Sequence, residues 1–112
     1  MSAITTHVLD TSTGRPAAGV PITLSLREGD GWRELGRGAT DADGRLRTLL
    51  PDGPLQRGSY RIVFDTGAYA RSHTHQPFYP AVTVDFDVHE AGGHYHIPLL
   101  LSPYGYSTYR GS

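Results

Sequence analysis

Glycine and proline interrupt this chain so often that it has room only for short elements. The 14 glycines and 8 prolines are spread through the whole sequence. Between them lie short runs rich in Val, Ile, Leu, Thr and Tyr, with apolar residues at every second position. A strand projects successive side chains to opposite faces, so this alternation marks strands with one buried face. Many such strands separated by turn residues indicate an all-β fold, an antiparallel sandwich or barrel.

Ile4 to Asp10 reads as the first strand, with Ile4, Thr6, Val8 and Asp10 on one face and Thr5, His7 and Leu9 on the other. Thr13-Gly14-Arg15-Pro16 reads as a turn. Val20 to Arg27 alternates cleanly, with Val20, Ile22, Leu24 and Leu26 inward, and Glu28 to Gly31 is a hairpin turn. Trp32 to Ala39 is a weaker strand because of Gly36 and Gly38. Asp41-Ala42-Asp43-Gly44 turns into a short strand, Arg45 to Leu49, followed by a loop from Pro51 to Gly58. Ser59 to Asp65 places Tyr60, Ile62 and Phe64 on one face. Thr66 to Thr74 is the expected helix, with Asp65 or Thr66 as N-cap. Ala81 to Val88 points Val82, Val84, Phe86 and Val88 inward. His94 to Leu101 and Tyr104 to Arg110 flank a Ser-Pro-Tyr-Gly turn and form a closing hairpin. Pro98 lacks an N–H, which pushes its strand toward a sheet edge or a bulge. The sum is about eight strands and one short helix in a single domain spanning residues 1–112.

A domain of 112 residues holds one modest core. A functional site is then a surface groove or a cleft completed by a second copy. The net charge of −1 and the lack of any basic block argue against nucleic acid or an anionic membrane as main partner. The absence of cysteine excludes disulfides, thiol catalysis and thiolate metal sites. The first ten residues carry neither a basic nor an apolar signal region, and no apolar run approaches the ~20 residues of a membrane span. A cytoplasmic location is the expectation.

Six histidines are many for this length. His73-x-His75 and His94-x-His96 each have the spacing that puts two imidazoles on one face of a strand, a weak zinc signal. His7 sits mid-strand between Thr5 and Leu9, and His96 shares a face with Pro98 and Leu100. The two acquire meaning if their strands pair, as first and penultimate strands often do in Greek-key sandwiches. Arg45 follows an Asp-Gly turn and is either solvated or aimed at a planar imide or carboxylate. Asp41 and Asp43 read as turn formers. No Gly-rich phosphate loop precedes a helix, and no nucleophile elbow is present. Tyr109-Arg110-Gly111-Ser112 directly follows a strand. It reads either as a fraying end or as an ordered segment that takes part in chemistry.

Three segments together resemble the transthyretin-like 5-hydroxyisourate hydrolases over essentially the whole chain. They are Thr6-His7-Val8-Leu9-Asp10 with Gly14-Arg15-Pro16-Ala17, Thr40 to Arg45, and His94 to Ser112. The closing Tyr-Arg-Gly-Ser is the hallmark that separates this group from transthyretin carriers, which share the Ser-Pro-Tyr-x-Tyr-Ser-Thr turn. The resemblance implies a transthyretin-like two-sheet sandwich and a homotetramer, a dimer of dimers whose last strands pair edge to edge. It implies opening of the 5-hydroxyisourate ring in urate degradation, with no metal or organic cofactor. Its catalytic residues fall on His7, Arg45, His96 and Ser112. Substrate binding falls on His7, Arg45, Tyr109 and Ser112, with Tyr109 and Ser112 expected from the dimer-related side. The alternative is a transthyretin-type binding protein without catalysis.

Overall fold

The computed structural model describes residues 2–73 and 76–112. The expected helix end at Thr74 and the His75 half of the His73-x-His75 pair lie outside the described residues. Strands β1 (Ile4–Asp10), β2 (Arg15–Pro16), β3 (Pro21–Glu28), β4 (Gly31–Ala39), β5 (Arg45–Leu46) and β6 (Gly58–Phe64) precede helix α1 (Thr66–Ser72). Strands β7 (Val82–Val88), β8 (Tyr95–Ser102) and β9 (Gly105–Thr108) follow it.

The strands form two sheets, one ordered β4-β3-β6-β7 and the other β2-β1-β8-β9, with β5 also paired to β1. In the first sheet the alternating apolar residues line up across strands. Ile22, Phe64 and Val82 form one row, Leu24, Ile62 and Val84 the next, and Leu26, Tyr60 and Phe86 the third. The second sheet contributes Ile4, Val8, Ile97, Leu99 and Leu101 to the same core. Each such side chain, fully buried, stabilises the fold by about 1.5–3 kcal/mol before entropy is counted. The alternation in the sequence therefore identified the buried faces correctly, because a one-residue slip would turn every core residue to water.

Several boundaries differ from expectation. Arg15-Pro16, expected as part of a turn, pairs with Leu9 and Asp10 as a two-residue strand. The strand expected from Arg45 to Leu49 pairs only at Arg45 and Leu46, against His7 and Thr6. Leu49 instead packs into the core. Its carbonyl oxygen lies where a Cβ on Gly36 would sit, so Gly36 is required by close approach. Helix α1 begins as expected, with the Asp65 carboxylate accepting from Ala68 N at 2.9 Å.

Pro98 was expected at a sheet edge or bulge, yet β8 runs between β1 and β9. The resolution lies in the ladder. β9 ends at Thr108 opposite Leu99, and the same register resumes only at His96 and Gly111. The gap falls where Pro98 has no N–H to donate. Its carbonyl accepts from Thr108 Oγ1 at 2.7 Å.

A buried polar link ties α1 to β1. Tyr69 Oη donates to Asp10 Oδ2 at 2.9 Å, and Ser12 donates to Oδ1 through both N and Oγ. Burial alone would raise the Asp10 carboxyl, but the bonds from Ser12 and Tyr69 hold it below its usual value. Burial and the Asp10 charge push the Tyr69 phenol up to about 12. Tyr69→Phe is expected to lower stability in urea unfolding by about 1–3 kcal/mol at neutral pH. Because the folded Asp10 value is depressed, its contribution is present above the unfolded carboxyl pKa of about 4 and is lost below it. The gap between wild type and Tyr69→Phe should therefore narrow as the pH falls below that value.

Candidate active site

The parallel pairing of β1 with β8 sets Thr5 beside His96 and His7 beside Pro98. On the other side of β1, β5 sets Arg45 beside His7. Partners in a ladder project to the same face, so Thr5, His7, Arg45 and His96 share the outward face of this sheet. Gly111 adds the last neighbour, opposite His96.

Arg45 is presented by a tightly specified turn. Asp41 Oδ1 accepts from Asp43 N at 2.9 Å and Arg45 N at 3.0 Å. The Arg45 N–H is the leading cause that holds the Asp41 carboxyl below its usual value. Gly44 has a φ of 75°, and a Cβ there would lie 2.5 Å from the Val8 carbonyl oxygen. Only glycine fits. Both aspartates are thus turn formers, as expected. Asp43 has a further task, since its carbonyl oxygen lies 3.0 Å from His7 Nε2. A carbonyl only accepts, so Nε2–H donates to it, which leaves Nδ1 as the ring nitrogen that faces away from this bond. Among the described residues no carboxylate pairs with Arg45. Arg47, two residues on, reaches only a loose 3.9 Å contact with Asp41.

His96 is half-buried, and its Nδ1 lies 2.8 Å from Thr5 Oγ1. The same hydroxyl lies 3.3 Å from His94 Nε2. Thr5 is only 4% exposed although it is on the outward face. Burial lowers the His96 pKa, and the charges of Arg45, His7 and His94 lower it further, against a small opposing effect of the Thr5 backbone. Both effects favour the neutral imidazole, which keeps a lone pair available as a base.

The Tyr109–Ser112 segment is ordered by its neighbours. Gly111 N donates to the His96 carbonyl at 2.8 Å. A Cβ on Gly111 would lie 2.6 Å from His96 Cδ2, so the imidazole is seated against this glycine. The Arg110 guanidinium lies 4.4 Å above the Tyr95 ring, a cation–π contact. Tyr95 Oη in turn accepts from the His89 and Glu90 amides.

A cleft of about 150 Å³ is lined by Thr5, Arg45, Arg47, His94, His96 and Ser112. His7 stands at its border beside Arg45. Four expected residues, His7, Arg45, His96 and Ser112, are thus brought together within one chain. Ser112, expected from the dimer-related side, lines the cleft of its own chain. Tyr109 does not. It is exposed and borders a separate apolar groove with Val84, Phe86 and Ile97. A larger cleft of about 260 Å³ lies by Asp10 and Tyr69, but its one carboxylate is already engaged there. Sequence reading missed Thr5, the Asp43 carbonyl and the seat at Gly111. Thr5 was discoverable, since it lies two residues before His7 and so on the same face.

The chain matches the model of the HIUase/Transthyretin family over residues 4–111. It belongs to that family. It is 46% identical over 116 residues to a 5-hydroxyisourate hydrolase of Caulobacter vibrioides, covering 100% of each chain. The solved Klebsiella pneumoniae 5-hydroxyisourate hydrolase superposes with a TM-score of 0.87 at 39% identity, covering 100% of both chains. Sea bream transthyretin in complex with thyroxine superposes with a TM-score of 0.91 at 36% identity, covering 98% of this chain and 95% of that one. Backbone likeness thus does not separate hydrolase from carrier within the family, and the side chains of the site must.

The cleft makes a direct spectroscopic prediction. NMR titration should give His96 a pKa below that of a free imidazole. Arg45→Gln should raise it only partway, because burial is the largest cause of the depression. A His96 that titrates like a free imidazole in the wild-type protein would contradict the electrostatic description.

Proposed function

We propose that this chain is a 5-hydroxyisourate hydrolase, opening the substrate ring by water attack on a ring amide carbonyl to give a carboxylated ureidoimidazoline. One observation carries the reading. An imidazole on β8, a guanidinium on β5 with no acidic partner among the described residues and a second imidazole on β1 stand on one face around one cleft. That set fits amide hydrolysis. The hydrolase relatives support the substrate.

The roles follow from environment. His96 is the general base, because its Nδ1 is held by Thr5 and its pKa is depressed. Every buried side-chain nitrogen or oxygen among the described residues has a partner. His96 Nε2 has no bonding partner among the described residues and is therefore solvent-accessible, on a ring that lines the cleft. It takes a proton from water as the water oxygen bonds to the carbonyl carbon. It returns that proton to the ring nitrogen when the C–N bond breaks. Arg45 holds the substrate oxygens and stabilises the charge that develops on the attacked carbonyl. His7, with Nε2–H fixed on Asp43, orients the water or substrate through Nδ1. Ser112 bounds the cleft, and Tyr109 reaches a site only if it is supplied to the cleft of another copy.

We propose in addition a homotetramer, a dimer of dimers. Among the described residues no strand pairs with the outer edge of β9, which a partner strand would cover. The expected mass is about four times the 12.2 kDa chain, and light scattering measures it. Among the described residues no helix is long and apolar enough to cross a membrane, and a cytoplasmic location fits the proposed substrate. A transthyretin-type carrier is the second reading, favoured by the sea bream superposition.

The test generates 5-hydroxyisourate in situ from urate with a urate oxidase and follows its decay. The wild-type protein should accelerate decay at micromolar concentration; no acceleration would overturn the reading and favour the carrier. His96→Ala should lower turnover by roughly a hundredfold or more, with circular dichroism unchanged. Gly111→Ala, which displaces the imidazole while leaving all of the acid–base groups in place, should lower it by about a hundredfold. Deletion of Arg110 to Ser112 should do at least as much.

A further inference from the structure

The Thr5 hydroxyl touches two imidazoles in the cleft. Its oxygen lies 2.8 Å from His96 Nδ1 and 3.3 Å from His94 Nε2. A hydroxyl carries a single proton, so it donates to one ring nitrogen and accepts from the other. The tautomers of the two histidines are therefore locked in opposite senses. Where His96 is protonated at Nδ1, His94 Nε2 is the acceptor, and the reverse. Thr5 is buried, His96 is half-buried and His94 is exposed at the cleft wall, so the line runs from the half-buried ring to a solvent-exposed one. The His94-x-His96 spacing, read in the sequence as a weak zinc signal, here places both rings on one hydroxyl.

We propose that His94 and Thr5 are positioning residues forming a proton store behind His96. This rests on the hydrolase reading and assigns a task to residues outside the proposed catalytic set. In the resting enzyme His96 Nδ1–H donates to Thr5, and Thr5 O–H donates to His94 Nε2. The Nε2 lone pair of His96 then faces the cleft. As the water oxygen bonds to the carbonyl carbon, His96 Nε2 takes the water proton. Nδ1 passes its proton to Thr5 Oγ1, and the Thr5 proton moves to His94 Nε2. The charge rests on His94, at the surface, instead of on a half-buried ring beside Arg45 and His7. When the ring C–N bond breaks, the three transfers reverse and the leaving nitrogen receives the proton. The new carboxylic acid then ionises to solvent. Arg45, Arg47, His7 and the Ser112 segment are the polar and charged groups that face this line, and none supplies an acidic side chain to hold an imidazolium at His96.

Long-range 1H–15N spectra of the wild-type protein test the resting tautomers independently of turnover. The expected result is Nδ1–H on His96 and an unprotonated Nε2 on His94. A His96 protonated at Nε2 overturns the proposal whatever the activity. For turnover, Thr5→Val keeps the branched shape and removes the hydroxyl, while Thr5→Ser restores it. His94→Gln keeps a hydrogen-bonding group but holds no proton. Thr5→Val and His94→Gln should each lower kcat about tenfold with KM little changed, and Thr5→Ser should recover most of kcat. A plot of wild-type rate against deuterium fraction should bow, as for several protons in motion, and become straight in His94→Gln. His94 is exposed, so His94→Gln stays informative if Thr5→Val fails to fold. Wild-type kcat in His94→Gln, or equal losses in Thr5→Ser and Thr5→Val, would overturn the store while leaving hydrolase activity established. An inactive wild type would overturn the hydrolase reading instead.

Discussion

The parallel ladder between β1 and β8 is the interaction on which the rest of the structure depends. Seven residue pairs, Ile4 with Tyr95 through Asp10 with Leu101, join segments from the two ends of the chain. Thr6 Oγ1 reinforces it with a bond to the Ile97 carbonyl at 2.6 Å, across 91 positions of sequence. The inward faces of these strands close the core over the other sheet. The outward faces carry His7, His96 and Thr5. One pairing thus supplies both stability and the site, and a register slip would lose the two together.

Around that ladder the site is held by backbone groups more than by charges. The Asp43 carbonyl fixes the His7 tautomer, the Asp41 side chain shapes the turn before Arg45, and Gly111 seats the His96 ring. Among the described residues no acidic side chain pairs with Arg45 or with His96. Both groups thus suit the roles proposed for them, a cation for the substrate oxygens and a neutral base. An acidic residue in the cleft would have quenched the first and raised the pKa of the second.

The carrier and hydrolase branches of the family share this backbone closely, so the distinction rests on a handful of side chains. The Tyr-Arg-Gly-Ser segment, which the resemblance singles out, is one place where side chains act on the site. It adds little to the core, yet its arginine docks on Tyr95 and its glycine makes room for the imidazole. Its serine borders the cleft.

The sequence by itself determined which residues face the core, where the helix starts and which turns bend. Val20 to Leu26, Tyr60 to Phe64 and Asp65 show it, because alternation, cap chemistry and turn residues are local properties. It also placed His94 and His96 on one face. Only the tertiary structure decided what that face meets. Period-two alternation says which side of a strand is buried, but not which strand lies beside it. Neighbours are chosen by closing the whole core. That choice set His96 next to Thr5 and Arg45 next to His7, cut β5 to two residues, and put Pro98 in an interior strand at the one gap its missing N–H requires. It also set both imidazoles of the His94-x-His96 pair on one threonine hydroxyl. A tautomer or a pKa belongs to a residue's partners, and those partners came from the far end of the chain.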